Sequence, residues 1–127
     1  MDTVGDFLTS LRNAIAVSKS EIIVHYSKIR WAIASILKEE GYLDEVKKAG
    51  KTQSRLIIKP TYYQKTPVIQ SIKRISSPGL RIYRQAKDLR INHQDKKTLI
   101  ISTPRGTMTA EEAKKRHLGG EVICQVE

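Results

Sequence analysis

The residues of this sequence best suited to chemistry lie in one short segment, Ser102-Thr103-Pro104-Arg105-Gly106, which follows a run of apolar and β-branched residues. Proline at the second position and glycine at the fourth position of residues 103–106 predict a type I turn. Such a turn would present two hydroxyls and one guanidinium together. These groups can bind a base edge, a ribose 2′-hydroxyl or a phosphate. An ordinary loop, whose hydroxyls bond their own backbone, is the alternative.

A second group of suitable residues lies at 79–84, where Arg81 and Tyr83 alternate with Leu80 and Ile82. Strand alternation predicts Leu80 and Ile82 on one face and Arg81 and Tyr83 on the other. An arginine beside a tyrosine on an exposed face can bind a phosphate and stack a base. The alternative is a strand-forming tyrosine covered by the arginine stem.

The remaining reactive residue types predict no catalytic site. His25, His93 and His117 are scattered, and no two of them have the spacing of metal ligands on a helix. Cys124 has no neighbouring histidine and is predicted to be a core residue. Gly119-Gly120 follows a predicted helix, whereas a phosphate-binding glycine loop precedes one. We therefore predict no metal, no cofactor and no enzymatic activity.

Net charge favours a polyanionic partner. The 127 residues include 23 Lys and Arg against 13 Asp and Glu, for a net charge of +10. Residues 65–127 carry 13 bases and 6 acids, whereas residues 1–64 carry 10 bases and 7 acids. Lysine and arginine displace counterions from phosphates, so a concentration of charge is typical of a nucleic-acid-binding face. A solvated basic surface is the alternative.

Composition also limits the class of protein. Hydrophobic residues make up 39% of the chain, which is typical of a globular protein. No apolar run approaches the ~18 residues of a membrane-spanning helix, and the acidic start lacks the pattern of a signal peptide. A single cysteine forms no internal disulfide, so we expect a reducing compartment. A transmembrane protein, a disulfide scaffold and a cysteine-rich zinc module are excluded on these grounds.

Hydrophobic periodicity and capping residues predict an amino-terminal domain of order α-β-α-β-β. The predicted elements are a helix over about 3–17 capped by Asp2 or Thr3, a strand over 22–24, a helix from the cap Ser27 to Gly41, and strands over 42–48 and 54–60.

Residues 62–67 interrupt this pattern and predict a boundary, with domains at 1–64 and 65–127. The second domain is predicted to be mostly β, with one short helix opened by the capping box at 109–112. Its predicted elements are strands over 68–76, 80–84, 98–102 and 121–127, a type II turn at 77–80, a helical turn at 86–89 and a loop at 92–95. Val122, Cys124 and Val126 are expected on one face of the last strand. The predicted fold class is therefore α+β in two small domains.

Four segments, in order along the chain, resemble the motifs of one family. Residues 74–83, RISSPGLRIY, resemble the pattern R-[IV]-S-x-P-G-L-R-x-Y of the bacterial small-subunit ribosomal protein eight family. Residues 6–14 and 37–42 resemble its amino-terminal motifs, and residues 102–124 its S-T-x-[KR]-G and G-G-E motifs. The resemblance extends over residues 2–127 with no large insertion.

The resemblance implies a structural protein of the ribosome, in the cytoplasm or in an organelle. It would bind the central domain of small-subunit rRNA, help assemble the platform and contact neighbouring small-subunit proteins but no membrane. The principal contact would come from the carboxy-terminal domain, whose S-T-x-[KR]-G loop enters the minor-groove side of an irregular RNA helix. The residues implied as RNA contacts are Ser102, Thr103, Arg105, Gly106, Arg81, Tyr83, Arg84, Gly119, Gly120, Glu121, Arg12, Asn13 and Lys28.

Four features depart from the family pattern. Pro104 stands where serine is common, which removes a hydroxyl and a backbone N–H. Residues 95–98 (DKKT) replace a segment that commonly carries glycines, and residues 125–127 replace an aromatic tail. Trp31 is unexpected and lies off the apolar stripe of its helix.

Two other functions are alternatives. An RNA-processing or RNA-modifying enzyme would need a nucleophile or base with an orienting partner, and the sequence contains no such group. A regulator that binds messenger RNA, including that of its own operon, would use the same RNA-binding surface and is compatible with a ribosomal role.

Overall fold

The computed structural model describes residues 2–90 and 96–127, so the predicted loop at 92–95 and His93 lie outside the described residues. The chain divides into two compact units, Met1–Gln70 and Ser71–Glu127. This division lies carboxy-terminal to the predicted boundary between residues 64 and 65. No helix among the described residues is long and apolar enough to span a membrane.

The first unit has the predicted order α-β-α-β-β, followed by a short hairpin. Its main elements are α1 (Thr3–Ala16), β1 (Ile22–His25), α2 (Lys28–Glu39), β2 (Leu43–Ala49) and β3 (Arg55–Pro60). The three strands form an antiparallel sheet of order β1-β3-β2.

Side-chain caps start both helices of the first unit. The Asp2 carboxylate accepts a hydrogen bond from the Gly5 amide at 3.1 Å. The Ser27 hydroxyl accepts one from the Arg30 amide, also at 3.1 Å. Each cap satisfies an amide that has no partner within the helix, which confirms both predicted starts.

The helices cover one face of this sheet. Phe7, Leu11, Ile33 and Leu37 are buried on the helices. On β3, buried Leu56 and Ile58 alternate with more accessible residues. This period of two places one face of the strand against the core and leaves the other outside it.

Trp31 is half-buried and contacts a lysine. The Lys48 ammonium lies 4.8 Å from the centre of the Trp31 ring and 5.1 Å from that of Tyr26. An ammonium at this distance is attracted to the face of each ring. Trp31, which lies off the apolar stripe of α2, therefore contacts Lys48 of strand β2.

A hairpin not expected from sequence extends the first unit past residue 64. Strands β4 (Tyr62–Tyr63) and β5 (Thr66–Pro67) pair around Gln64 and Lys65, which both have positive φ. Two such residues in succession are typical of a type I′ turn. The Tyr62 hydroxyl also donates to the Lys19 carbonyl at 2.7 Å. These bonds hold the segment to the first unit, so the division falls after Gln70.

The second unit is mostly β with one short helix, as predicted. Its elements are β6 (Ile72–Arg74), β7 (Tyr83–Arg84), a 3-10 turn (Ala86–Asp88), β8 (Thr98–Thr103), β9 (Gly106–Thr109), α3 (Ala110–Lys115) and β10 (Gly120–Val126). The sheet order is β6-β10-β8-β9, and β7 also pairs with β10. The strands predicted over 68–76 and 80–84 shrink to β6 and β7, and β9 was not predicted.

The turn at residues 77–80 forms, but it is not of type II. Ser77 and Leu80 exchange backbone hydrogen bonds of 2.9 and 3.0 Å. Gly79 does not have the positive φ that a type II turn requires. The predicted partition of Leu80 and Ile82 onto one face is also wrong, because the chain is not a strand before Tyr83 and Leu80 is 65% exposed.

A β-bulge overturns the predicted face of the last strand. Val122 pairs with Ile101 and Cys124 pairs with Ile100, so Ile123 is an extra residue in the ladder. Because Ile100 and Ile101 point to opposite faces of β8, their partners do so too. Val122 joins a core cluster beneath α3, whereas Cys124 lies on the other face. That cluster comprises Leu89, Ile101, Met108, Ala110, Ala113 and Val122.

Candidate nucleic-acid interface

A row of polar side chains crosses four strands of the second unit. Glu121 on β10 pairs with Tyr83 on β7 and with Ser102 on β8, and Ser102 pairs with Thr107 on β9. Paired residues of antiparallel strands project to the same face. Tyr83, Glu121, Ser102 and Thr107, here called the polar row, therefore lie together, opposite the core face that carries Ile101.

Two glycines allow the strands that carry the polar row to approach one another closely. A Cβ on Gly120 would lie 1.9 Å from the Ser102 carbonyl oxygen. A Cβ on Gly119 would lie 2.6 Å from the Arg84 carbonyl oxygen. Only a residue without a side chain fits either position. The Gly119-Gly120 pair, implied as an RNA contact, thus also has a structural role: it joins β10 to β7 and β8.

The hairpin between β8 and β9 brings residues 103–106 beside the polar row. Thr103 pairs with Gly106, which leaves Pro104 and Arg105 as the two central residues of the predicted turn. Gly106 has φ +118°, a value that L side chains rarely adopt. Arg105 and Gly106 are exposed at the tip, where a guanidinium can reach a phosphate.

The two hydroxyls of this segment differ in their partners. Thr103 is 8% exposed, and its hydroxyl donates to the Gly106 carbonyl at 2.7 Å and accepts from the Arg105 amide at 3.1 Å. The Thr103 hydroxyl therefore bonds the backbone of its own turn, which is the alternative that the sequence left open. Ser102 is half-buried in the polar row, and its hydroxyl has no hydrogen-bond partner among residues 2–90 and 96–127.

Glu121 and Arg81 form an ion pair at the edge of the polar row. The Arg81 guanidinium donates to the Glu121 carboxylate at 3.0 Å, and the two side chains are 52% and 19% exposed. Tyr83 is 63% exposed, and Arg84 folds back to donate to the Tyr83 carbonyl at 2.9 Å. The Arg81 guanidinium, the exposed Tyr83 ring and the Glu121 carboxylate thus lie on the same side of this unit.

A groove of about 960 Å³ continues from these residues. One side of the groove is lined by Arg84 and Lys87, at the 3-10 turn, and the other by His117 and Gly119, in the loop after α3. The groove is open to solvent, and the cations Arg84 and Lys87 outnumber the single carboxylate of Asp88 in its lining, which suits a chain of phosphates better than an enclosed small molecule. Sequence reasoning did not identify Lys87 or His117, because only the pairing of β7 with β10 brings their segments together.

The other three residues implied as RNA contacts belong to the first unit. Arg12 and Asn13 are exposed on α1, and Lys28 is the exposed first residue of α2. Asn13 also lines a cavity of about 640 Å³ together with Val17 and Ile23. All three positions can be reached by a partner.

The reactive side chains of the described residues offer no catalytic arrangement. Within residues 2–90 and 96–127, no three His, Cys, Asp or Glu side chains are grouped to hold a metal ion. Burial raises the pKa of the Cys124 thiol to about 12, against an opposing effect of the Arg74 charge. This thiol therefore stays protonated near neutral pH and is a weak nucleophile.

Comparison with known proteins agrees with the motifs. Residues 2–126 match the family described as ribosomal protein S8. The sequence is 43% identical to the small ribosomal subunit protein uS8 of Paraburkholderia xenovorans, over 98% of this chain and 96% of that protein. It is 41% identical to the protein of that name from Tolumonas auensis and 43% identical to that from a Wolbachia pipientis strain, over the same shares of each chain.

Proposed function

Because the chain belongs to the ribosomal protein S8 family, we propose that the polar row and the adjoining hairpin tip bind the central domain of small-subunit rRNA. The protein is a structural component of the small ribosomal subunit, and its relatives are named as ribosomal proteins and not as enzymes. RNA is thus the polyanion to which its charge of +10 corresponds. The proposal concerns the RNA region bound and the residues that bind it.

One observation carries the proposal: the polar row combines groups that can read RNA with cations that can hold its backbone. The Ser102 hydroxyl can both donate to and accept from a base edge or a 2′-hydroxyl. The Glu121 carboxylate can accept a hydrogen bond from an exocyclic amino group. The Tyr83 ring is exposed for stacking, and the guanidiniums of Arg81 and Arg105 lie on either side.

This arrangement predicts selectivity for an irregular RNA helix. A regular A-form duplex is recognised by shape and by contacts with phosphates and 2′-hydroxyls, whereas sequence-specific recognition uses unstacked bases. A half-buried carboxylate repels a continuous row of phosphates. The polar row therefore favours an RNA that places base edges, and not only phosphates, opposite Glu121.

Footprinting tests the location. Small-subunit rRNA bound to the purified protein should be protected in one irregular helix of the central domain, with little change elsewhere. Uniform weak protection along any duplex would instead mark a nonspecific basic protein. Arg105→Gln should lower the affinity and also reduce the slope of log affinity against log salt by about one, as expected for loss of one phosphate contact.

We also propose that messenger RNA of the protein's own operon competes for this surface. Recognition by base edges and backbone depends on the local RNA fold, so any transcript with the same irregular helix would bind the polar row. The measurement is displacement of the rRNA helix by the operon transcript. A transcript that binds without displacing the rRNA would contradict a shared site. Contacts with neighbouring small-subunit proteins are proposed for surfaces outside the polar row.

A further inference from the structure

The three-stranded sheet of the first unit has a second face that the proposed function does not use. Strand pairing places on it the residues that alternate with the core positions. We call this surface the open sheet face. Its members are Ile23, His25, Glu45, Lys47, Ala49, Arg55, Ile57 and Lys59.

The open sheet face is accessible because both helices of the unit cover the opposite side. On β3, Leu56 and Ile58 are fully buried, whereas Arg55 is exposed and Ile57 is half-buried. On the edge strand β1, Ile23 is 55% exposed. Ile23 pairs with Ile57, and Ile57 pairs with Lys47, so these side chains form a line across the sheet.

Positive charge exceeds negative charge on this face. Among the described residues, Glu45 is the only carboxylate of this face, and it lies 3.2 Å from the Lys59 ammonium and 3.6 Å from that of Lys47. The hydrogen bond from Lys59 and the Lys47 charge hold the Glu45 pKa below its ordinary value, so Glu45 stays ionised. Two lysines thus share one carboxylate. Arg55 has no acidic partner among residues 2–90 and 96–127.

We propose that the open sheet face is a second RNA-binding surface, which contacts phosphates of small-subunit rRNA without reading their sequence. The phosphate contacts come from Lys47, which pairs with Ile57 from β2, and from Arg55, two positions before Ile57 on β3. Ile23 and Ile57 pack against ribose. The proposal rests on the proposed function, since rRNA is the polyanion involved. It adds a contact outside the helix that the polar row recognises.

Charge complementarity favours RNA over a protein as the occupant. A protein partner would bury the Ile23–Ile57 pair but would have to supply acids for the excess of cations on β2 and β3. An RNA backbone supplies those acids at every nucleotide. Unlike the polar row, the described residues of this face include no side-chain hydroxyl or amide placed for a base edge, so its contacts would be independent of sequence.

The test uses the full chain with Lys47→Gln and Arg55→Gln combined, and a matched variant with Lys38→Gln and Lys114→Gln. Both variants lose two charges at exposed positions, the second from helices α2 and α3. The probes are the isolated cognate rRNA helix and full-length small-subunit rRNA. Affinity is measured over a range of salt concentrations, after urea unfolding has verified that both variants fold as the wild type does.

The sheet variant should bind full-length rRNA roughly three- to tenfold more weakly, with a salt slope smaller by one to two. Its binding to the isolated helix should match that of the helix variant. Equal binding of both variants to full-length rRNA would overturn the proposal. So would normal rRNA binding combined with poor incorporation into subunits, because a protein would then occupy the face. If the wild type showed no preference for the cognate helix, the proposed function itself would fail. This outcome is distinguishable from the other two, because it is seen in the wild type and not in a comparison of variants.

Discussion

The Arg81 guanidinium donates to the Glu121 carboxylate at 3.0 Å. This pair places one negative charge in the polar row, whose neighbouring charged side chains are cations. The carboxylate is 19% exposed and the guanidinium 52%. An RNA that approaches this surface must either supply a hydrogen-bond donor to Glu121 or tolerate its charge. The pair thus favours RNA that offers base edges over a plain phosphate backbone.

Glu121→Gln should therefore reduce discrimination more than it reduces affinity. The amide cannot repel phosphates, and it frees Arg81 to bind them. We expect noncognate duplex RNA to bind several-fold more tightly and the ratio of cognate to noncognate affinity to fall. Glu111→Gln is the matched control, since it removes an exposed acid from α3. An unchanged ratio in Glu121→Gln would contradict a role in selectivity.

The different partners of the two hairpin hydroxyls predict opposite results for their removal. Thr103→Val leaves the Gly106 carbonyl and the Arg105 amide without their bonds, so the free energy of unfolding should fall by about 1–3 kcal/mol. Thr103→Ser keeps the hydroxyl and should retain most of the stability. Urea unfolding followed by circular dichroism measures both variants. Wild-type stability in Thr103→Val would mean that these two bonds contribute little.

Ser102→Ala should leave stability within about 0.5 kcal/mol of wild type, because no intramolecular bond of this hydroxyl is lost among the described residues. It should weaken binding of the cognate RNA by roughly five- to a hundredfold if a buried RNA group loses its partner. The salt slope should not change, since no charge is removed. Wild-type affinity in Ser102→Ala would remove this hydroxyl from the RNA-binding surface.

Gly120→Ala should destabilise the second unit strongly. The new methyl would lie 1.9 Å from the Ser102 carbonyl oxygen, so β10 and β8 would have to separate. We expect a loss of at least about 3 kcal/mol in the free energy of unfolding. Gly79→Ala is the matched control, because no atom lies within 4 Å of its added Cβ and its φ is not positive. Equal free energies of unfolding for the two variants would contradict the close approach of Gly120 to the Ser102 carbonyl.

The Cys124 thiol should make stability fall at alkaline pH. Its pKa rises from 9.0 to about 12 on folding, so the unfolded chain loses this proton first. The contribution of this raised pKa to the free energy of unfolding is complete below pH 9. It is lost as pH rises towards 12, by at most about 1.4 kcal/mol per pH unit. The stability of the wild type relative to Cys124→Ala should therefore decrease between pH 9 and 11. A constant difference would contradict the raised pKa.

Sequence periodicity predicted the elements that bury a continuous stripe or face. The helices α1 and α2 were found because apolar residues recur every three or four positions and because Asp2 and Ser27 mark their starts. Strands β8 and β10 were found from β-branched residues and alternation. For the two helices the local pattern and the final packing agree, whereas for β10 the pattern located the strand but not the faces of its residues.

The elements that were missed depend on pairing with distant segments. The two-residue strands β4 and β5 are too short to show a period, and their turn uses Gln64 and Lys65 at positive φ instead of the usual glycine. The bulge at Ile123 leaves the alternation of the sequence intact while reversing which face Val122 occupies. Neither feature has a local signal.

The candidate site was predictable as a set of residue types but not as a surface. The motifs contained Ser102, Tyr83 and Glu121, yet only the register of two strand pairs places them in one row. The internal role of Thr103 was an open alternative at the level of sequence. A hydroxyl beside a turn can bond either a ligand or its own backbone, and the fold decides between them.

Trp31 and Cys124 supply one natural reporter for each compact unit. The chain has one tryptophan and one cysteine, and they belong to the first and the second unit respectively. Fluorescence of Trp31, whose ring faces the Lys48 ammonium, follows loss of structure in the first unit. Thiol labelling of the fully buried Cys124 follows opening of the second. The wild-type sequence, without an introduced reporter residue, can therefore reveal whether the two units unfold in one cooperative transition or in two.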